Sequence, residues 1–154
     1  MTTPSSTSVA STPVSTRTEV DRKLLDDALA TLFAPWVQQL NLRVLSAEPG
    51  VVTLELPVAP EHVHGGGVLC GQTMMAACDT AMVLAIMSRL GAFRPMTTVQ
   101  LQTSFLRPVA GDSASARVVA RVLRLGKSLV FGEVQVLNAQ GDLAAHATTT
   151  YALL

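Results

Sequence analysis

The stretch Gly71–Leu90, GQTMMAACDTAMVLAIMSRL, limits the possible folds more than any other part of the chain. Gly71 reads as a helix start and Gly91 as a helix stop, which gives about 19 helical residues and a length of about 28 Å. Apolar side chains occupy nearly every face, the pattern of a helix buried on most sides. One carboxylate, Asp79, lies inside it. At about 100° per residue, Asp79 shares its stripe with Gln72, Met75, Met82, Val83 and Ile86, so its own helix offers it no cationic neighbour. A buried charge costs on the order of several kcal/mol unless it is paired, hydrated or neutral. The expectation is that Asp79 is there for chemistry; the competing reading is a structural carboxylate capping a distant backbone group. A membrane span is not expected, because Asp79 would sit near the bilayer centre at a cost of about 3 kcal/mol.

With 154 residues the chain has room for one domain with a substantial core. The charged fraction is only 14% against 49% hydrophobic, which leaves the surface of a monomer short of charge and points to an oligomer. Basic and acidic residues balance at 11 each and no basic run occurs, so nucleic acid is not an expected partner. Cys70 and Cys78 fall on one helix about 12 Å apart, too far to bridge. Reduced thiols suit a cytoplasmic protein. The histidines, His62, His64 and His146, and the two cysteines lack metal-ligand spacing, so no metal site is expected.

In chain order, residues 1–18 are rich in Ser, Thr and Pro without apolar periodicity and read as a disordered tail. A single domain is expected over residues 19–154. Its first helix is expected over Glu19–Leu40, with Leu24, Leu25, Leu29, Leu32 and Phe33 as the apolar stripe and Pro35 as a kink or end. Leu42–Ala47 and Val51–Val58 flank Glu48-Pro49-Gly50 and read as an antiparallel hairpin. After the long helix come four alternating stretches, Thr97–Leu106, Ser113–Arg124, Leu129–Leu137 and Ala144–Leu153, joined by short turns. Helix, two strands, buried helix and four strands make an α+β fold, with a sheet of about six strands curled around one long central helix.

That order, with Gly71 and Asp79 spaced as Gly-x7-Asp across the helix entrance, resembles the hotdog fold. The nearer likeness is to acyl-CoA thioesterases of the phenylacetate-pathway and 4-hydroxybenzoyl-CoA type, over roughly Leu42 to Leu154. The segments that carry it are CGQTMMAACDTAM, TTVQLQTSFLRP and RVVARVLRLGKSLVFGEVQVLNAQGDLAAHATTTYAL. The chain departs from those enzymes at the helix entrance. Where they commonly carry His-Gly-Gly, it has Cys70, Gly71 and Gln72, and its own His64-Gly65-Gly66 lies fifteen residues before Asp79. His64 instead falls where relatives often place an Asn or Gln that polarises the thioester carbonyl or positions water.

The resemblance implies hydrolysis of an acyl-CoA thioester to the free acid and coenzyme A, with no cofactor, coenzyme A being part of the substrate. Asp79 then acts as general base toward water or as direct nucleophile. The helix N-terminus at Gly71 supplies N–H groups for the oxyanion. His64 is a candidate donor to the thioester, and Thr98 matches a position where relatives orient water with Ser or Thr. Gln72, Cys70 and Met75 are candidate substrate contacts, with Met74, Met75, Met82 and Phe105 walling an apolar acyl pocket. Arg107, Arg124, Lys127 and Ser128, at strand ends and in a turn, are candidates for the phosphates of coenzyme A. In relatives the site is completed across a dimer, which implies a homodimer and further a homotetramer, as a dimer of dimers. Three other readings stand beside this one: a Cys70–His64 acyl transferase, a hydratase or dehydratase on the same fold, and a non-catalytic acyl-CoA sensor.

Overall fold

The computed structural model describes residues 16–154, with side chains from Arg22 onward. The tail expected over residues 1–18 lies almost wholly outside the described residues. Helix α1 spans Thr16–Thr31 and buries Leu25 and Ala28. The break expected at Pro35 comes slightly earlier, after Thr31, and a short α2, Pro35–Gln38, follows with Pro35 at its first position. Proline is tolerated there because a first-turn N–H has no helical partner.

Six strands follow the expected order: β1 (Arg43–Glu48), β2 (Val51–Pro57), β3 (Met96–Phe105), β4 (Ser115–Leu125), β5 (Leu129–Leu137) and β6 (Leu143–Leu153). They form one sheet in the order β1-β2-β4-β5-β6-β3, and every neighbouring pair is antiparallel. The long helix α3 runs from Gly71 to Leu90 and packs mainly on β4, β2 and β5. This is the expected hotdog arrangement. Gly91, at φ 77°, ends the helix in the left-handed conformation and returns its N–H to Met87 O at 2.8 Å.

The sheet wraps the helix because its inner face carries apolar residues, mostly small or β-branched with leucines in β2, at alternate positions. Val52, Leu54 and Leu56 of β2, Ala116, Val118 and Ala120 of β4, Val130, Val134 and Val136 of β5, and Ala145 and Ala147 of β6 are all buried. Gly132 interrupts the β5 series, and there Met82 of α3 meets the sheet: a Cβ on Gly132 would lie 2.2 Å from Met82 Cε. Met82 is therefore fully buried core, whereas the thioesterase resemblance had implied a place in the wall of an acyl pocket. At the other end of α3, Ser88 Oγ accepts from Gly50 N–H at 3.0 Å and lies 3.1 Å from Glu48 O, tying the helix C-terminus to the β1–β2 turn.

Among the described residues α3 is the one helix long and apolar enough to cross a membrane, but 67% of that stretch is buried within the protein. The remainder forms a strip that the sheet leaves open. Gln72 is exposed, Met75 is 36% exposed, and Asp79 and Val83 are half-buried. Beside this strip runs β3, an edge strand that is open along its outer side, with Val99 59% exposed.

Candidate active site

Asp79 sits midway along α3, on the open strip, and its carboxylate is held from the sheet. Thr98 Oγ1 donates to Asp79 Oδ1 at 2.8 Å. The Tyr151 hydroxyl donates to the same Oδ1, and also lies 2.9 Å from the Asp79 backbone oxygen. Register explains the convergence: Thr98 of β3 pairs with Tyr151 of β6, so both side chains point inward at one level. A β-bulge at Val99 shifts the β3 register between Thr98 and Gln100, turning Val99 outward immediately beside the inward Thr98.

The surroundings are dry on one side only: Thr98 is exposed and Asp79 half-buried, whereas Tyr151 and Cys78 are enclosed. Tyr151 is 1% exposed, and burial, then the Asp79 charge and its hydrogen bond, hold the phenol well above its usual range, so it remains a neutral donor. Cys78, fully buried next to Asp79, is pushed up to about 12, first by burial and then by the Asp79 charge. An unreactive thiol is the consequence.

A second group gathers at the α3 N-terminus. Gly71, His64, Val68, Leu69, Met74, Phe105, Leu106, Arg107 and Pro108 line a cavity of ≈ 400 Å³. The first N–H groups of a helix have no intrahelical acceptor, and those of α3 begin at Gly71. Phe105 lies over this glycine, where an added Cβ would stand 3.0 Å from the ring and push it back, so glycine lets the ring and the backbone approach closely. His64 Nδ1 accepts from Gly66 N–H at 2.9 Å, which leaves the proton of the neutral ring on Nε2 as a free donor. Gly66 is required by that fold-back, since a Cβ there would stand 2.7 Å from the His64 ring. The HGG of the sequence is thus a turn that presents His64.

The other candidates are placed separately. Cys70 caps α3 from an extended conformation, and its sulfur lies 3.0 Å from Thr73 Oγ1. Gln72 lines a neighbouring ≈ 270 Å³ cavity with Trp36, His62 and Thr73. Arg107 reaches back to Leu143 O at 3.1 Å. Arg124, Lys127 and Ser128 stand at the β4–β5 turn, whose strand Leu129–Leu137 brings Val130 opposite Tyr151, at the Asp79 level of the sheet. Sequence reasoning missed Tyr151. The available signal was a lone tyrosine at an inward strand position, because a buried phenol needs a partner for its hydroxyl.

Gly71 and Asp79 are eight helical residues apart, so about 12 Å of helix separates the unpaired N–H groups of the first turn from the carboxylate. Two groups that far apart do not meet on one reacting atom.

The thioesterase superfamily matches residues 61–145, a span that contains His64, Gly71, Asp79 and Thr98 but ends before Tyr151. Human (Homo sapiens) acyl-coenzyme A thioesterase 13 is 31% identical over 112 residues, covering 71% of this chain and 78% of that protein. A conserved protein of Pseudomonas aeruginosa superposes with a TM-score of 0.73 at 30% identity, over 79% of this chain and 95% of its own. The E. coli PaaI protein of the phenylacetic acid degradation operon shares the fold at a TM-score of 0.77 and 18% identity, over 90% of this chain and 96% of its own. By the match across the central helix and the three strands that follow it, the chain belongs to the thioesterase superfamily.

Proposed function

We propose that the protein hydrolyses acyl-CoA thioesters, in a site that two copies of the chain build together. Membership of the thioesterase superfamily supports thioester hydrolysis, and the name of the human relative supports an acyl-CoA substrate. The observation that carries the two-chain reading is the separation of Gly71 from Asp79 along one helix. Edge-to-edge pairing of two β3 strands about a two-fold axis lays one α3 antiparallel to the other, strip against strip. The Gly71 end of each helix then lies beside Asp79 of its neighbour. The same pairing covers Val99, Met75 and Val83, and gives a chain with few charges a homodimer; a further tetramer is the expected assembly of two such pairs.

In this arrangement the thioester carbonyl points at the Gly71 N–H groups, with His64 Nε2–H as an additional donor. Asp79 acts as base or nucleophile. As base it takes a proton from water, the water oxygen bonds the carbonyl carbon, and the carbon–sulfur bond breaks as the thiolate leaves and is protonated. Phe105 and Met74 form an apolar wall for the acyl group beside Gly71. Arg107 at that cavity, and Arg124, Lys127 and Ser128 from the other chain's turn, are the groups offered to the phosphates of coenzyme A.

The test is thiol release from a panel of acyl-CoAs by the wild type and by Asp79→Asn, which keeps the shape and removes the base. A drop of at least about 100-fold supports the assignment. Saturable acyl-CoA binding without turnover by the wild type would replace it with a sensor.

A further inference from the structure

We infer that Tyr151 is a positioning residue for the Asp79 carboxylate, and that Oδ2 is the oxygen that works on the substrate. The inference rests on the thioesterase reading above. Asp79 Oδ1 receives two hydroxyl donors, from Thr98 at 2.8 Å and from Tyr151, whereas Oδ2 receives no hydrogen bond among the described residues. The carboxylate is half-buried on the open strip of α3, so one of its oxygens is anchored to the sheet and the other is left for a reactant.

The Tyr151 hydroxyl has one proton and two acceptors within reach, Oδ1 and the Asp79 carbonyl. That carbonyl already has a helical N–H four residues on, from Val83, because α3 continues to Leu90. A charged oxygen is also the stronger acceptor, so the proton goes to Oδ1. Tyr151 itself cannot stray. It is held at 1% exposure in β6, between Val130 and Thr98 in the register, so its hydroxyl reaches the carboxylate from the enclosed side. It therefore touches the carboxylate without facing the substrate. Losing it frees the carboxylate torsion and spreads the base over rotamers of which few aim Oδ2 outward.

Tyr151→Phe removes one oxygen and keeps the ring, so the packing around β6 is retained. The expected result is a kcat lower by roughly 10- to 100-fold, the range of one charge-assisted hydrogen bond, with KM for acyl-CoA within about twofold of wild type. Thr98→Val shows the same split, and the double variant loses less than the product of the two single losses, because both hydroxyls hold one atom.

A second measurement reads the contact without turnover. Tyr151 is the only tyrosine, so the ultraviolet absorbance of tyrosinate during alkaline titration reports it alone. In Asp79→Asn the anion beside the phenol is gone, and tyrosinate is expected to form at lower pH than in the folded wild type. Wild-type turnover with an unchanged kcat in Tyr151→Phe, or superimposable tyrosinate curves for wild type and Asp79→Asn, would overturn the assignment and leave the thioesterase reading standing. No turnover by the wild type on any acyl-CoA would remove both.

Discussion

Gly132→Ala is the substitution that most sharply tests how α3 is seated. The added Cβ would stand 2.2 Å from Met82 Cε, 2.6 Å from Met82 Sδ and 3.0 Å from Arg121 O. The first two atoms belong to a flexible side chain, but Met82 is fully enclosed, and the third is backbone. Overpacking of this kind costs roughly 1–3 kcal/mol, from which the intrinsic gain of alanine over glycine, about 0.5–1 kcal/mol, is subtracted. The net expectation is destabilisation by about 1–2 kcal/mol, read in urea as a lower midpoint with an unchanged m-value, or as a Tm lower by roughly 3–8 °C. Met82→Ala on its own leaves a cavity and costs about 2–5 kcal/mol, but in the Gly132→Ala background the new methyl fills part of that space. The double-mutant cycle should therefore show a favourable coupling of about 1–2 kcal/mol. Additive losses, or a Gly132→Ala protein as stable as wild type, would refute the packing of Met82 into the gap in β5. Because Asp79 lies one helical turn before Met82, Gly132→Ala is also expected to lower kcat.

Two further outcomes follow from the same geometry. Burial, and after it the Asp79 charge, raises the Cys78 thiol from 9.0 to about 12. Within that window the unfolded chain has lost the thiol proton and the folded chain has kept it, so this contribution to stability falls as pH rises, by up to about 1.4 kcal/mol per pH unit. Urea midpoints measured across it should decline less steeply in Cys78→Ala than in wild type; parallel declines would contradict the buried-thiol account. Val99→Lys places like charges on both sides of a β3–β3 pairing. Sedimentation velocity should then shift toward monomer, with loss of thiol release, whereas an unchanged oligomer would place the contact elsewhere.

The long helix was legible to the residue, Gly71 to Leu90, because glycine marks both ends and the composition between them changes abruptly. Strand positions were legible for a similar reason, alternation broken by turn residues, and the strand ends shift by no more than two residues. Pairing was legible only in part, since the four strands after the helix read as a meander whereas β3 leaves β4 to pair with β6, and β4 pairs with β2. Asp79 and Thr98 were both visible as candidates, but their contact depends on a bulge at Val99 that alternation does not reveal. Tyr151 was hidden by looking like any inward strand aromatic. Periodicity placed Met82 on the Asp79 stripe, yet what covers each side of a helix is decided by the sheet, and Gly132 draws Met82 into the core. The open strip of Gln72, Met75, Asp79 and Val83 likewise appears only once the sheet is wrapped around α3. On the proposed two-chain reading, this strip is what makes an apolar helix with one acid half of a site.

The most direct test of the shared site is subunit complementation. Asp79→Asn lacks the base, and Gly71→Val blocks the helix N-terminus by crowding the space that Phe105 occupies. Each protein alone should be inactive in thiol release. When the two are unfolded together at equal amounts and refolded, half of the dimers are mixed, and each mixed dimer has one site with both native residues. Recovery of roughly a quarter of wild-type activity is therefore expected for a two-fold dimer that shares its sites. No recovery, with mixed dimers demonstrated by mass, would mean that Gly71 and Asp79 act within one chain or not at all.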